Sequence, residues 1–384
     1  MAKIHQKYGT GHGHTDGFCM RVLVVNAGSS SLKLRLLDSQ DQLLASDDLP
    51  PVRGDSGAAM VKQAVAGFGE IDAVGHRIVH GSTEFTGPVK LDSTVLERIR
   101  SFSDLAPLHQ PASLAALDAV SEILCDVPAV ACFDTAFHSQ MPAEASTYAL
   151  PSEWRSRFAV KRFGFHGLSH SYAAKRAVKL TGRDIGAAKV ITCHLGAGAS
   201  LAAVWGGRSV DTTMGFTPLE GLVMATRCGS LDPGLVLWLE EHVGIPASEL
   251  ADVFENRSGL MGLANTSDMK EIVARAESGD SDAQLALGVY IHRLRAGIAA
   301  MAAAMNGVDL LVFTGGVGEH SAKVRELAVE GLAFFGIGVD KEANLDAEVD
   351  GVISGSRSRV VTLVVEARED IEIAAETRRV LDSQ

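Results

Sequence analysis

RVLVVNAGSSSLKLRLLD, residues 21–38, and KVITCHLGAGASLAAVWGG, residues 189–207, share one layout. Each is an apolar strand, a turn of small residues, and a second apolar strand. Alternating apolar positions around a Gly-, Ser- or Ala-rich turn read as a β-hairpin. Each hairpin is followed by further strand patterns and then by helical ones. The repetition predicts an α/β fold of two duplicated halves, with mixed β-sheets flanked by helices and a cleft between them.

Outward from the first hairpin, DAVGHRIV (72–79) and VPAVACFD (127–134) read as buried strands, with helical patterns near 92–103 and 111–124. Beyond the second hairpin, helical patterns fall near 232–243, 247–256, 266–277 and 282–305. DLLVFTGG (309–316) is a strand ending in glycines, a helix is expected near 320–334, and VVTLVVEA (360–367) is a late strand. A last helix at about 369–381 is expected to cross back to the first half. The expected units are therefore 20–135 with 371–384, and 136–370. Residues 1–19 are polar, rich in Gly and His, and lack the apolar stretch of a signal peptide, so they read as a flexible arm.

The 384 residues carry 35 Lys and Arg against 47 Asp and Glu, a net charge of −12. That balance excludes a general nucleic-acid or anionic-membrane binder. Five cysteines without CxxC spacing argue against a disulfide framework or zinc site and for a reducing, cytoplasmic setting. The longest apolar run, 296–313, is interrupted by Asn306, Gly307 and Asp309, which argues against a membrane span.

Several turns carry residues suited to phosphate chemistry. In Asn26–Lys33, Gly28 permits close backbone approach, Ser29, Ser30 and Ser31 offer hydroxyl and amide donors, and Lys33 adds a cation. It is not a Walker loop, because GxxxxGK[ST] is absent and a strand follows. Asn26 could orient a hydrated magnesium, though an ordinary hairpin turn has the same appearance. His194-Leu195-Gly196-Ala197-Gly198 is the equivalent turn of the second half, and together the two suggest one polyphosphate held between halves. Gly316, Val317, Gly318, Glu319 and His320 lie at a strand-to-helix turn that suits a nucleotide, though a tight turn has the same appearance. Arg77 and Arg227 sit in Gly-bearing segments and could clamp a carboxylate or phosphoryl group, or make surface ion pairs. His166 could be a donor or a packed core histidine. Asp134 follows an apolar strand, where a carboxylate holds metal, acts as a base or caps a helix. Glu369 and Asp370 could be first-turn helix acids.

Taken in order, NAGSSSLK, GHRIVHG, APLHQP, FDTAFH, FGFHGLSH, HLGAG, GFTPLEGL, TRCGSLDPG, SDMK and FTGGVGEH resemble the acetate kinase family. That family belongs to the acetate and sugar kinase, Hsp70 and actin superfamily, which implies two actin-like, ribonuclease H-like domains. The resemblance implies reversible, magnesium-dependent phosphoryl transfer from ATP to acetate, with manganese as an alternative ion. Propionate kinase is the near alternative, and an actin- or Hsp70-like ATPase the distant one. By position, the resemblance implies Asn26 and Glu369 as metal ligands and Asp134, His166, Arg227 and Arg77 as catalytic residues. Val79, Leu108, Phe165 and Pro218 match the pocket for the acetate methyl. Lys33, Ser29, Ser31, residues 194–198, Asp268, Met269, Lys270 and residues 316–320 match the nucleotide contacts. It also implies a homodimer that binds neither nucleic acid nor membrane. The chain departs from the family pattern at Ala197, Cys228, Ser230, Lys270 and His320, and at Arg368-Glu369-Asp370.

Overall fold

The computed structural model describes residues 20–28, 31–52, 54–105 and 110–383. The hairpins of the sequence are β1 (Val22–Ala27) with β2 (Leu32–Leu37), and, with β3 (Leu43–Leu49), β4 (Ala73–Ile78), β5 (Val89–Lys90) and β6 (Ala129–Phe133) between, β7 (Lys189–Leu195) with β8 (Ala199–Trp205). The remaining strands are β9 (Arg208–Thr212), β10 (Leu310–Thr314), β11 (Gly351–Val352) and β12 (Val361–Val364).

The duplication extends far past the hairpins. The first sheet runs β3-β2-β1-β4-β6-β5 and the second β9-β8-β7-β10-β12-β11. In both, an antiparallel meander leads into three parallel strands, and a short antiparallel strand closes the far edge. Even the register breaks correspond, at Leu36/Leu37 in one meander and Ala203/Val204 in the other.

The parallel strands are buried on both faces, which is why they read as unbroken apolar runs. Val22 and Val24 of β1 pack with Ile373 and Ala374 of the C-terminal helix, Glu369–Asp382, while Leu23 and Val25 pack with Val61, Ala116 and Val120 of outer helices. In β10, Leu310 and Val312 pack with Ala173 and Ala177 of helix Gly167–Thr181, while Leu311 and Phe313 pack with Leu287 and Leu294. Helices 167–181 and 369–382 lie between the sheets. They are joined where Ser171 Oγ and Lys175 Nζ donate to buried Glu372 at 2.9 and 2.5 Å.

Helix 167–181 has no counterpart in the sequence reading, because its FGFHGLSH start reads as a loop. The helix expected near 320–334 is two, Gly315–His320 and Ala322–Glu330. Ser321 divides them, its side chain accepting from Val324 N as an N-cap. Asp268 likewise starts the helix expected from 266 at Met269, by accepting from Lys270 N.

At Gly75 in β4 the C-terminal helix comes close to the strand backbone. A Cβ there would stand 2.4 Å from Thr377 Oγ1 and 2.7 Å from Ile373 Cγ2. Gly75→Ala is therefore expected to destabilise the protein by about 1–3 kcal/mol. Gly87→Ala, where a Cβ meets nothing within 4 Å, is expected to stay within about 0.5 kcal/mol of the parent. Denaturant titration of both variants checks the pair.

Candidate active site

The C-terminal ends of the parallel strands of both sheets open into one cleft of about 560 Å³. In open α/β sheets the ligand site forms at such strand ends, where connections leave in opposite directions. The first sheet brings Asn26 at the end of β1, Arg77 near the end of β4, and Asp134 just after β6. The C-terminal helix adds Glu369 as its first residue.

These four side chains form one network. Arg77 Nε and Nη2 donate to Asp134, the shortest contact being 2.6 Å to Oδ2. Arg77 Nη1 donates to Asn26 Oδ1 at 2.9 Å, and Asn26 Nδ2 donates to Glu369 Oε2 at 2.7 Å. Burial opposes the Arg77 charge, but Asp134 and Glu369 outweigh it and raise its pKa. Burial pushes the Asp134 carboxyl up, against the pull of Arg77. Burial also acts on Glu369, yet Arg77, His194 and the Asn26 amide hold it below the ordinary carboxylate range. Of the five guanidinium N–H donors, this network uses three; the other two of Arg77 make no hydrogen bond among the described residues, though Nη1 stands 4.0 Å from Glu369 Oε2.

The second half contributes His166 and Arg227. His166 caps helix 167–181 with a left-handed backbone, φ +56°, uncommon for a residue with a side chain. Gly167 makes that turn possible: its N–H donates to Asp134 O at 2.9 Å, and a Cβ would lie 2.2 Å from that oxygen. The FGFHGLSH and FDTAFH segments are thus fastened backbone to backbone. Arg227 is paired by its Nε to Glu255 at 2.8 Å, and its Nη1 donates to Pro218 O at 3.4 Å. Gly198 separates His166 from Arg227. A Cβ on it would be 3.3 Å from His166 Nε2 and 3.5 Å from Arg227 Nη1, so both groups converge above a bare backbone.

Val79, Phe165 and Pro218 are buried and form the apolar wall of the cleft. The buried His80 ring packs edge-on against Phe165 and Phe163. Lys33 pairs with Asn26 across the hairpin and, with Ser31, lines the cleft. Ser29, Leu108 and the 1–19 arm lie outside the described residues.

The residues matched to nucleotide contacts divide. His194, Gly198 and Gly316 line the cleft. Leu195 and Met269 put their side chains into the core, leaving only backbone to offer a ligand. Gly196 closes its turn by donating to Gly198 O at 2.9 Å, and Ala197 is exposed. Asp268 is occupied as a cap, while Lys270 and His320 are exposed outside the cleft lining. Val317 packs against the core and Gly318 is buried. Glu319 turns inward, its Oε1 accepting from Gly315 N at 2.8 Å and Ala367 N at 3.0 Å. That carboxylate ties the loop after β10 to the loop that leads to Glu369.

Sequence reasoning missed Glu255, the partner of Arg227, because nothing local connects them. It also missed His170, whose four-residue spacing from His166 across a helix start was a usable signal.

An acetokinase family model matches residues 58–375 of the chain. The acetate kinase of Pseudothermotoga lettingae is 41% identical, the alignment covering 95% of this chain and 98% of that one. The acetate kinase of Thermotoga maritima is 41% identical over 94% and 99%. Among solved structures, the Porphyromonas gingivalis acetate kinase matches with TM-score 0.86 at 35% identity, covering 94% of this chain and 100% of that one. A Francisella tularensis propionate kinase matches with TM-score 0.87 at 34% identity and the same coverage.

Burial holds six histidines neutral, His194 among them. It lowers His138 and His80 to about 4 and His76 to about 3, and pushes His170 and His166 well below the usual 6.5, with nearby His194 and Arg77 adding to the effect at His166. Each binds a proton in the unfolded chain below pH 6.5 but not in the folded one, so folding stability falls as pH falls through that range. The slope is up to about 1.4 kcal/mol per pH unit for each such group. Burial and Glu372 raise Glu376 to about 7, and burial also raises Asp134 and Asp211; these carboxyls act in the opposite direction. The thermal midpoint is expected to drop between pH 7 and 5. A midpoint that rises on acidification would contradict the neutral assignment.

Proposed function

The chain belongs to the acetokinase family, and on that premise we propose that it is an acetate kinase, transferring the terminal phosphoryl group of ATP reversibly to acetate. The acceptor class is a carboxyl group. The observation that carries the reading is the convergence of Arg77, His166 and Arg227 beside the small apolar wall of Val79, Phe165 and Pro218.

Acetate needs no base to become a nucleophile, since carboxyl groups titrate near pH 4. An acetate oxygen attacks the γ-phosphorus, and the bond from that phosphorus to the β–γ bridging oxygen breaks, its electrons leaving on ADP. The work is therefore alignment and charge stabilisation. Arg77, fixed by Asp134, turns its two remaining N–H donors to the acetate carboxylate. Asp134 acts by organising Arg77, not by accepting a proton. His166 and Arg227 donate to the equatorial oxygens of the phosphoryl group in transit. Lys33, Ser29, Ser31 and the turns at 194–198 and 316–320 receive the phosphates and nucleoside.

Glu369 offers an ionised carboxylate at the cleft and Asn26 an amide oxygen, which also accepts from Arg77; among the described residues no group of three or more His, Cys, Asp or Glu is arranged to hold a metal ion. That donor set suits magnesium, which keeps several waters and binds one or two carboxylates with substrate phosphates. Bound there, the ion would neutralise phosphate charge. Among the described residues no helix is long and apolar enough to span a membrane, and we place the enzyme in the cytoplasm. A second copy of the chain is expected to cover the exposed Leu231, Leu235, Leu237, Trp238 and Val243. The two domains are taken as 20–135 with 371–384, and 136–370.

The test is acyl hydroxamate formation with ATP, magnesium and hydroxylamine. Acetate, propionate and butyrate run in parallel, and a no-acid sample reports bare ATP hydrolysis. Signal is expected to be strongest with acetate and to fall with chain length, because one methylene is worth about 1–3 kcal/mol in such a pocket. ATP hydrolysis without hydroxamate would move the protein to the ATPase class. Removing the divalent ion with EDTA is expected to abolish product. Arg227→Ala is expected to lower kcat by about 10²–10⁵ with the folded signature unchanged, and a near-normal kcat would remove Arg227 from the reaction.

A further inference from the structure

Behind the cleft, three buried side chains continue from His166 in a line. His166 Nδ1 is 3.0 Å from Ser200 Oγ, and the same oxygen is 2.7 Å from His170 Nε2. His170 Nδ1 is 2.7 Å from Thr192 Oγ1. Ser200, His170 and Thr192 are fully buried, and none of the three lines the cleft. Ser200 and Thr192 stand on paired strands β8 and β7, and His170 lies one turn into helix 167–181.

A hydroxyl has one proton, and a neutral imidazole has one N–H. Both histidines are held neutral here by burial. Ser200 could accept from both rings only by leaving its own proton without an acceptor among the described residues, so the line runs in one of two directions. In one, the Thr192 hydroxyl donates to His170 Nδ1, His170 Nε2–H donates to Ser200, and Ser200 donates to His166 Nδ1. His166 then presents Nε2–H. In the other, every donor reverses and His166 presents a bare lone pair. The Thr192 proton would then have only Ala202 O, at 3.5 Å, the outer limit of a hydrogen bond. An anionic oxygen arriving beside Arg227 also selects the direction that offers it a donor.

We propose that Thr192, His170 and Ser200 are positioning residues that fix His166 as its Nε2–H tautomer, so that a neutral imidazole donates to the phosphoryl oxygens. The proposal rests on the phosphoryl-transfer reading above. Neutrality has a consequence: the donor does not depend on protonating His166 in a site that already holds two arginines. The second histidine extends the reach of the line to a hydroxyl remote from substrate, where a substitution cannot act by touching it.

Thr192→Val and Thr192→Ser make the test. Valine keeps the shape and removes the hydroxyl; serine keeps the hydroxyl and removes the methyl. Thr192→Val is expected to lower kcat about 10-fold and Ser200→Ala about 10–100-fold, the range found when the group orienting a functional imidazole is lost. KM for ATP and acetate is expected to change less than about twofold, as for an interaction made only in the transition state. Thr192→Ser is expected to keep parental kcat. If Thr192→Ser falls as far as Thr192→Val, the position serves packing and the proposal is overturned. Histidine-¹⁵N spectra, with His166 assigned by its loss in His166→Asn, report the tautomer with and without ADP, magnesium and aluminium fluoride. Protonated Nε2 in the parent and averaged ring nitrogens in Ser200→Ala are expected. Protonated Nδ1 in the liganded parent would overturn the proposal. The spectra need no turnover. A parent that makes no hydroxamate therefore refutes the phosphoryl-transfer reading and leaves the tautomer as a separate measurement.

Discussion

The bidentate pairing of Arg77 with buried Asp134 is the constraint on which the rest of the site depends. A guanidinium and a carboxylate taken out of water need each other, since removing one partner leaves an uncompensated charge. Their geometry then fixes what surrounds them. Asn26 fills the next donor of Arg77, and Glu369 completes the amide of Asn26. Three strand ends and the start of the C-terminal helix are thereby held in register. The network leaves Arg77 charged, oriented, and with donors to spare on its open side.

The second half is joined to this network by backbone. Gly167 donates to the carbonyl of Asp134, and no residue with a Cβ could come so close. That contact places His166 opposite Arg77, while Gly198 leaves room between His166 and Arg227. Glu319 performs a comparable task on the other side, joining the loops after β10 and β12 through two backbone amides. Rigid strands thus carry the groups that act on substrate, and carboxylates turned inward hold the loops between them. Helices 167–181 and 369–382 meet between the sheets, and the Glu372 contacts cross that meeting point.

Much of this was legible in the sequence. The paired hairpins announced the duplication, because small-residue turns between apolar strands are local signals. The apolar runs at 72–79 and 127–134 announced buried strands. Asn26, Arg77, Asp134 and His166 could be picked out because strand ends and Gly-flanked loops are where chemistry concentrates, and they meet in one cleft. Helix 167–181 was hidden, because its capping residue is a left-handed histidine followed by glycine, a pattern that reads as a turn. Leu195, Met269 and Glu319 occupy motif positions, but their side chains are spent on the core and the loops. Motif spacing does not distinguish a backbone contact from a side-chain one.

By itself the sequence determined the architecture of two repeated sheets, the family, and the residue types available for phosphoryl transfer. All of these follow from short-range patterns in order along the chain. Only the tertiary structure decided which of those residues face one another. Asp134 lies 57 positions from Arg77, Glu369 lies 343 from Asn26, and Ser200 lies 34 from His166. Hydrogen-bond direction depends on which donors and acceptors are left when distant segments are packed together, and no local pattern encodes it. The charge on Arg77, the neutrality of His166 and the tautomer it presents are therefore properties of the folded chain.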